Sequence, residues 1–209
     1  MPLSLNKQKE REWDNIIRQE AKAKGWHFRG WFAYKKLNDF FYKANFYTSA
    51  FNNSLYGSLQ FKPLIIDDTF WQIVDLNGNK KMPLSFRGNG AFVVGSKDIY
   101  DYKLNIEPET LKVNISNLLD TINEKVALIS SNITNLDTFI QYIEEHPNAR
   151  DGSQWFDSDL LIVTSIVQQN YEKALSLLYY AKKTRGMCSW GFGDKDFYDL
   201  AVEYCLKHK

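Results

Sequence analysis

A chain of 209 residues with 44% hydrophobic, 24% charged and 15% aromatic side chains is large and apolar enough to bury a core, which excludes a disordered chain. Its net charge of +1 supplies no global field to draw it onto phosphates or anionic lipid. Cys188 and Cys205 match neither zinc-pair nor Cys-x-x-Cys spacing, so two reduced thiols are expected and no disulfide, metal or cofactor.

Trp13, Ile16, Ile17, Ala21 and Lys24 recur at helical spacing and Gly25 follows them, which predicts a first helix closed at that glycine. The period then changes from 3.6 to 2. Trp26, Phe28, Gly30, Phe32 and Tyr34 alternate with His27, Arg29, Trp31, Ala33 and Lys35, as one strand would. Leu37-Asn38-Asp39 and Asn52-Asn53 are turns between β-rich runs, so the strands should be sequential and antiparallel, with Pro63 at a strand end. Asp67-Asp68-Thr69 offers N-caps for a short helix before Phe70, although Phe70, Val74 and Leu76 also fit a strand. Asn77-Gly78-Asn79 is a turn, residues 83–90 are too rich in Gly and Pro to be regular, and residues 91–94 form a short apolar strand.

Beyond Pro108 the pattern is helical again. Leu111, Ile115, Leu118, Leu119, Ile122, Val126 and Ile129 line one face over about five turns. Thr134 or Asn135 caps the next helix, which buries Leu136, Phe139, Ile140 and Ile143 and stops at Pro147. Residues 148–153 read as an exposed polar loop. Asp157 or Ser158 starts a helix apolar nearly all round, Tyr171 to Leu178 marks another that ends near Gly186, and Asp194 caps a last one carrying Phe197, Leu200, Ala201, Tyr204 and Cys205. The expected fold is therefore α+β: an N-terminal helix, an antiparallel sheet of about four strands, and about five helices. Residues 1–105 would hold the sheet and 106–209 the helical half, packed as one unit.

The blocks Gly25-Trp26-His27-Phe28-Arg29, Pro83-Leu84-Ser85-Phe86-Arg87 and Phe197-Tyr198-Asp199-Leu200-Ala201-Val202-Glu203-Tyr204-Cys205, in that order, resemble a bacterial group known only as a domain of unknown function. The resemblance implies a bacterial, cytoplasmic α+β protein and no particular activity. Some families of this size and build are immunity proteins that neutralise toxins of competing bacteria, an analogy at the level of fold alone.

Candidate chemistry is sparse. Cys188 lies in the glycine-rich stretch 186–193, where a thiol can be exposed, but a nucleophile needs a base, and His27, His146 and His208 stand in no catalytic signature. The same stretch precedes a helix without the Gly-Lys-Ser/Thr ending of a phosphate loop. No His-Glu-x-x-His occurs, so no metal ligands are named. More informative are the large aromatics at alternating positions of both predicted faces of the sheet, since one helical layer covers only one face.

These features select a non-enzymatic protein-interaction function, immunity-like by analogy, with Arg29, Trp31, Cys188 and Trp190 as binding residues and another protein as partner. Residues 1–47 carry ten basic and five acidic groups and the remainder sixteen and twenty, a split that suits two halves packing on each other as well as an outside partner. One alternative is a hydrolase using Cys188 or His146. A second is a single-strand nucleic-acid binder, against which stand the near-neutral charge and the lack of an RNP consensus. Charged residues from Lys7 to Glu12 leave no signal peptide and no apolar run spans a bilayer, so the expected compartment is the cytoplasm, with no membrane partner.

Overall fold

The computed structural model describes residues 4–146, 155–186, 188 and 190–209. The chain is α+β. It divides into two compact units, Met1–Phe61 with Asp98–Thr134 and Lys62–Lys97 with Asn135–Lys209. Residues 106–134, which follow the sheet in sequence, thus belong with it.

In the first unit, α1 (Leu5–Ala23) buries Trp13, Ile17 and Ala21, and the chain turns at Gly25. The expected single strand over residues 26–35 is instead a hairpin of β1 (His27–Arg29) and β2 (Phe32–Leu37). Arg29 pairs with Phe32, leaving Gly30 and Trp31 as a two-residue loop. Gly30 takes φ +60, which the first central position of a tight II′-type hairpin turn requires and glycine adopts without a Cβ clash. Asn38 and Asp39 close the next hairpin onto β3 (Phe40–Asn45). Then come β4 (Tyr47–Ser49) and β5 (Ser54–Pro63). β3 and β4 both pair with β5, as does β6 (Lys97–Asn105), completing six strands where about four were expected. β6 escapes period-2 reading because Lys97, Asp98, Asp101 and Lys103 fall on both of its faces.

Helix α4 (Leu111–Asn132) buries the seven apolar residues its spacing predicts. It lies on α1, where Lys24 meets Asp120 at 2.5 Å and Asn123 Oδ1 accepts from both Trp26 Nε1 (3.0 Å) and Lys35 Nζ (2.8 Å).

The second unit begins with α2 (Leu64–Ile73), whose N-cap is Pro63. Asp67 and Asp68 are therefore inside the helix, not caps. A 3-10 turn (Asn77–Lys81) and the four-residue α3 (Phe86–Asn89) follow, and residues 91–94 form no strand. They carry Phe92 at φ +60 and connect irregularly to β6. α5 (Leu136–Glu145) opens with a capping box between Asn135 and Thr138. Pro147 and residues 148–153 lie outside the described residues. α6 (Trp155–Val167) starts ahead of Asp157 and Ser158. Its Leu160, Ile162, Val163 and Ile166 are buried, and it packs on α2 and on α7 (Tyr171–Arg185). A two-stranded ribbon, β7 (Gly191–Phe192) and β8 (Lys195–Asp196), leads into α8 (Phe197–His208). The cap of α8 is Asp196 rather than Asp194, because β8 occupies the residues in between.

Candidate functional site

Cross-strand register assigns the faces of the sheet in the first unit. One face carries Phe28 and Phe46, stacked at 6.1 Å, with Arg18 of α1 over the Phe28 ring and Thr48 donating to Asp14 of α1. α1 covers this side. The other face carries His27, Phe32, Tyr34 and Phe41, whose rings follow one another at 5.4 to 6.1 Å. Phe32 and Phe41 are fully buried. Most of the aromatic alternation that suggested an open surface is thus core.

Exposure begins where this second face continues toward the β4–β5 turn. The Asn45 side-chain amide donates to Ser58 Oγ and Gln60 Oε1, both at 3.3 Å, and Gln60 donates to Asp98 at 2.7 Å, so the polar strip between the strands is satisfied. Beyond it Tyr47 and Tyr56 oppose each other in register and stack at 5.4 Å, 40% and 50% exposed. The turn after Ser49 places Phe51 at 86% exposure. Trp31, at 48%, belongs to the same end, because its carbonyl accepts from Phe46 N at 2.7 Å beside the β3–β4 junction. Trp31, Tyr47, Tyr56 and Phe51 form a run of exposed aromatics along one end of the sheet.

Arg29 is exposed at the end of β1. It does not share a strand face with Trp31 as expected, because the chain reverses at Gly30; the two are joined through the turn. Cys188 and Trp190 lie in the second unit. The Cys188 backbone N–H donates to Asp196 Oδ2 at 2.6 Å, and its side chain is half-buried. The Trp190 ring meets Phe70 at 4.9 Å and Phe197 at 5.8 Å, edge to face, so it is a packing group at the ribbon rather than an open anchor. Of the four proposed binding residues, Arg29 and Trp31 thus belong to the first unit and Cys188 and Trp190 to the second.

Groups with catalytic potential are engaged locally. The His146 and His208 rings contact the carbonyls of Tyr142 and Tyr204 four residues back and stack on the same tyrosines. Tyr198 donates to Asp159 at 2.9 Å, and Arg185 donates to both. Burial pushes the Asp159 carboxyl above its ordinary range against the pull of these two partners. Cys205 is fully buried, and burial pushes its thiol up to about 11. Among the described residues no group of three or more His, Cys, Asp or Glu is placed to hold a metal ion, and no helix is long and apolar enough to cross a membrane.

No protein-family model, curated protein or solved structure matches the chain. Function is therefore read from the molecule's own surface and interior.

Two features are missing from the sequence reading. Tyr56 and Phe51 show no signal beyond being apolar beside a turn. The other is a buried ionic cluster in the second unit. Lys62 Nζ donates to Asp67 Oδ1 (2.8 Å) and the Val94 carbonyl (2.5 Å), and Arg87 meets Asp68 (2.6 Å) and the Leu64 carbonyl (2.6 Å). The second oxygen of Asp67 accepts no hydrogen bond among the described residues and is held by charge alone, 3.5 Å from Arg87. Burial pushes the Lys62 ammonium below its ordinary range, with Asp67 opposing. A lysine between Phe61 and Pro63 at a strand end was the available clue.

Proposed function

We propose that the chain acts by binding another protein and performs no reaction itself, with the aromatic end of the sheet as its contact surface. The supporting observation is that Trp31, the stacked Tyr47–Tyr56 pair and the 86%-exposed Phe51 all stand exposed at one end of the sheet. Exposed apolar groups occurring singly need no explanation, whereas four exposed aromatics at one end of satisfied strands fit an interface core. Tyr and Trp contribute large contact area at low entropic cost, and Arg29 at the neighbouring turn supplies a forked donor for a carboxylate. The fitting partner is a protein with a pocket for Phe51 and an acidic rim; a bacterial toxin is one such class, by the analogy of size and build with immunity proteins alone.

The test uses Trp31→Ala, Phe51→Ser and the double variant Tyr47→Ala/Tyr56→Ala, with Val113→Ser on exposed α4 surface as control. Proteins captured by wild type are identified by mass spectrometry and rebound in purified form. Each aromatic variant is expected to keep its melting temperature within a few degrees, since exposed substitutions cost under about 0.5 kcal/mol. Each should weaken the purified complex by roughly 30-fold or more, as interface anchors do. Undiminished binding in all three variants sinks the proposal. Binding of a single-stranded oligonucleotide, lost in the same variants, would assign the surface to nucleic acid instead.

A further inference from the structure

Residues 82–96 of the second unit contain only one short helix, α3, and their backbone hydrogen bonds are local, such as Phe86 N to Pro83 O and Gly90 N to Phe86 O. Within that unit the segment packs Phe86 on the Trp71 ring at 5.9 Å and Phe92 on Phe192 at 5.0 Å and buries Val94, and its hydrogen bonds to Lys62 and α2 all involve side chains. Arg87 reaches the Leu64 carbonyl and Asp68, and its guanidinium lies 4.9 Å over the Trp71 ring. Trp71 Nε1 donates to the Phe92 carbonyl at 2.5 Å. Val94 is tied on both sides, its N–H donating to Asp67 Oδ1 at 3.0 Å and its carbonyl accepting from Lys62. Lys62 and Asp67 are fully buried beneath these contacts.

From this arrangement we infer that residues 82–96 are a strap that opens as a local unit and controls access to the Lys62 amine, the Asp67 carboxylate and the Trp71 indole. Two energies favour local opening over unfolding of the whole unit. Buried ions have given up hydration that their mutual attraction only partly offsets, and opening returns it. Phe92 holds a left-handed φ of +60, a conformation that strains a non-glycine residue and is relieved when the segment is freed. The apolar core of the unit, Phe70, Ile162, Val163, Leu178 and Phe197, gains nothing comparable on exposure. Segments with no backbone ladder to the rest of their unit open sub-globally.

Lys62 and Cys205 report the two processes separately, because both are fully buried in the same unit and Lys62 is bonded directly to the strap through the Val94 carbonyl while Cys205 sits on α8. The full chain is pulsed at pH 8 with an amine-acylating ester and a thiol-alkylating reagent over sub-denaturing guanidinium chloride, and both sites are mapped by mass spectrometry. Corrected for intrinsic reactivity, Lys62 is expected to open at least ~30-fold more often than Cys205 in wild type, with a shallow denaturant slope that marks local opening. Arg87→Gln should raise Lys62 labelling about tenfold further and leave Cys205 within about threefold. A constant Lys62-to-Cys205 ratio across denaturant means that Lys62 is reached only by unfolding, and it overturns the strap. The wild-type series decides this even if Arg87→Gln does not fold.

Discussion

Tyr42 stacks on Phe61 at 5.8 Å in a fully buried position of β3, yet its hydroxyl has no hydrogen-bond partner among the described residues. A buried polar group without a partner carries a desolvation cost of about 1–3 kcal/mol. Tyr42→Phe should therefore be neutral or stabilising by up to about 1 kcal/mol at pH 7 in denaturant melts. Burial also pushes this hydroxyl up to about 12 from its ordinary 10. The unfolded chain loses that proton first, so the stability tied to the neutral hydroxyl is complete below pH 10 and is lost as pH rises toward 12. The variant should keep more of its stability than wild type across that window; an identical alkaline decline in both would show that the Tyr42 hydroxyl is solvated. The ring's place on a strand was legible from period 2, but its lack of a partner was not, because hydrogen bonding depends on groups distant in sequence. Asp67 shows the same limit. Beside Thr69 it reads as a helix cap, and only residues 20 and 27 positions later, Arg87 and Val94, make it a buried ion.

Elements were legible where a single local signal decides them. α4 has one apolar stripe and no competing pattern, so its buried residues follow from spacing alone. The β1–β2 hairpin was hidden because alternation continues across Gly30, and only the positive φ at that residue reverses the chain. That reversal also breaks the expected Arg29–Trp31 face. At α8 the difficulty is a choice between two adjacent candidates. Asp196 Oδ1 accepts from Asp199 N at 3.0 Å, its Oδ2 accepts from Cys188 N, and Asp199 Oδ2 accepts from Asp196 N in return. Asp194 is exposed in the turn of the ribbon. Replacing Asp196 by alanine should cost about 1–2 kcal/mol, the usual value of an N-cap, whereas Asp194→Ala should stay within about 0.5 kcal/mol. Urea melts of the two variants distinguish them, and equal losses would return the cap to an undecided position.

At the scale of the whole molecule, the charge asymmetry along the chain takes a different meaning once the units are known. The excess of basic groups in residues 1–47 is met inside the first unit by residues 98–134, which carry six acidic and three basic groups. Lys24 with Asp120 and Glu20 with Lys112, the latter at 3.7 Å, join the two segments. The first unit as a whole has thirteen basic and eleven acidic groups, so the asymmetry is nearly balanced within it. A division after residue 105, natural in sequence, would take α4 away from the helix it packs against, and with it the Asn123 oxygen that holds Trp26 and Lys35. A fragment of residues 1–105 would expose the apolar stripe of α1, Trp13, Ile17 and Ala21, together with an unpaired Lys24. Burying an apolar side chain is worth about 1.5–3 kcal/mol, so losing the seven that α4 buries is comparable with the roughly 5–15 kcal/mol by which a domain is stable. The fragment is expected to lose the near-ultraviolet dichroism of its aromatic core and to bind a hydrophobic dye, with native signals returning when residues 106–209 are supplied as a second chain. A fragment 1–105 with sharp tertiary signals on its own would show that α1 and the sheet suffice without α4.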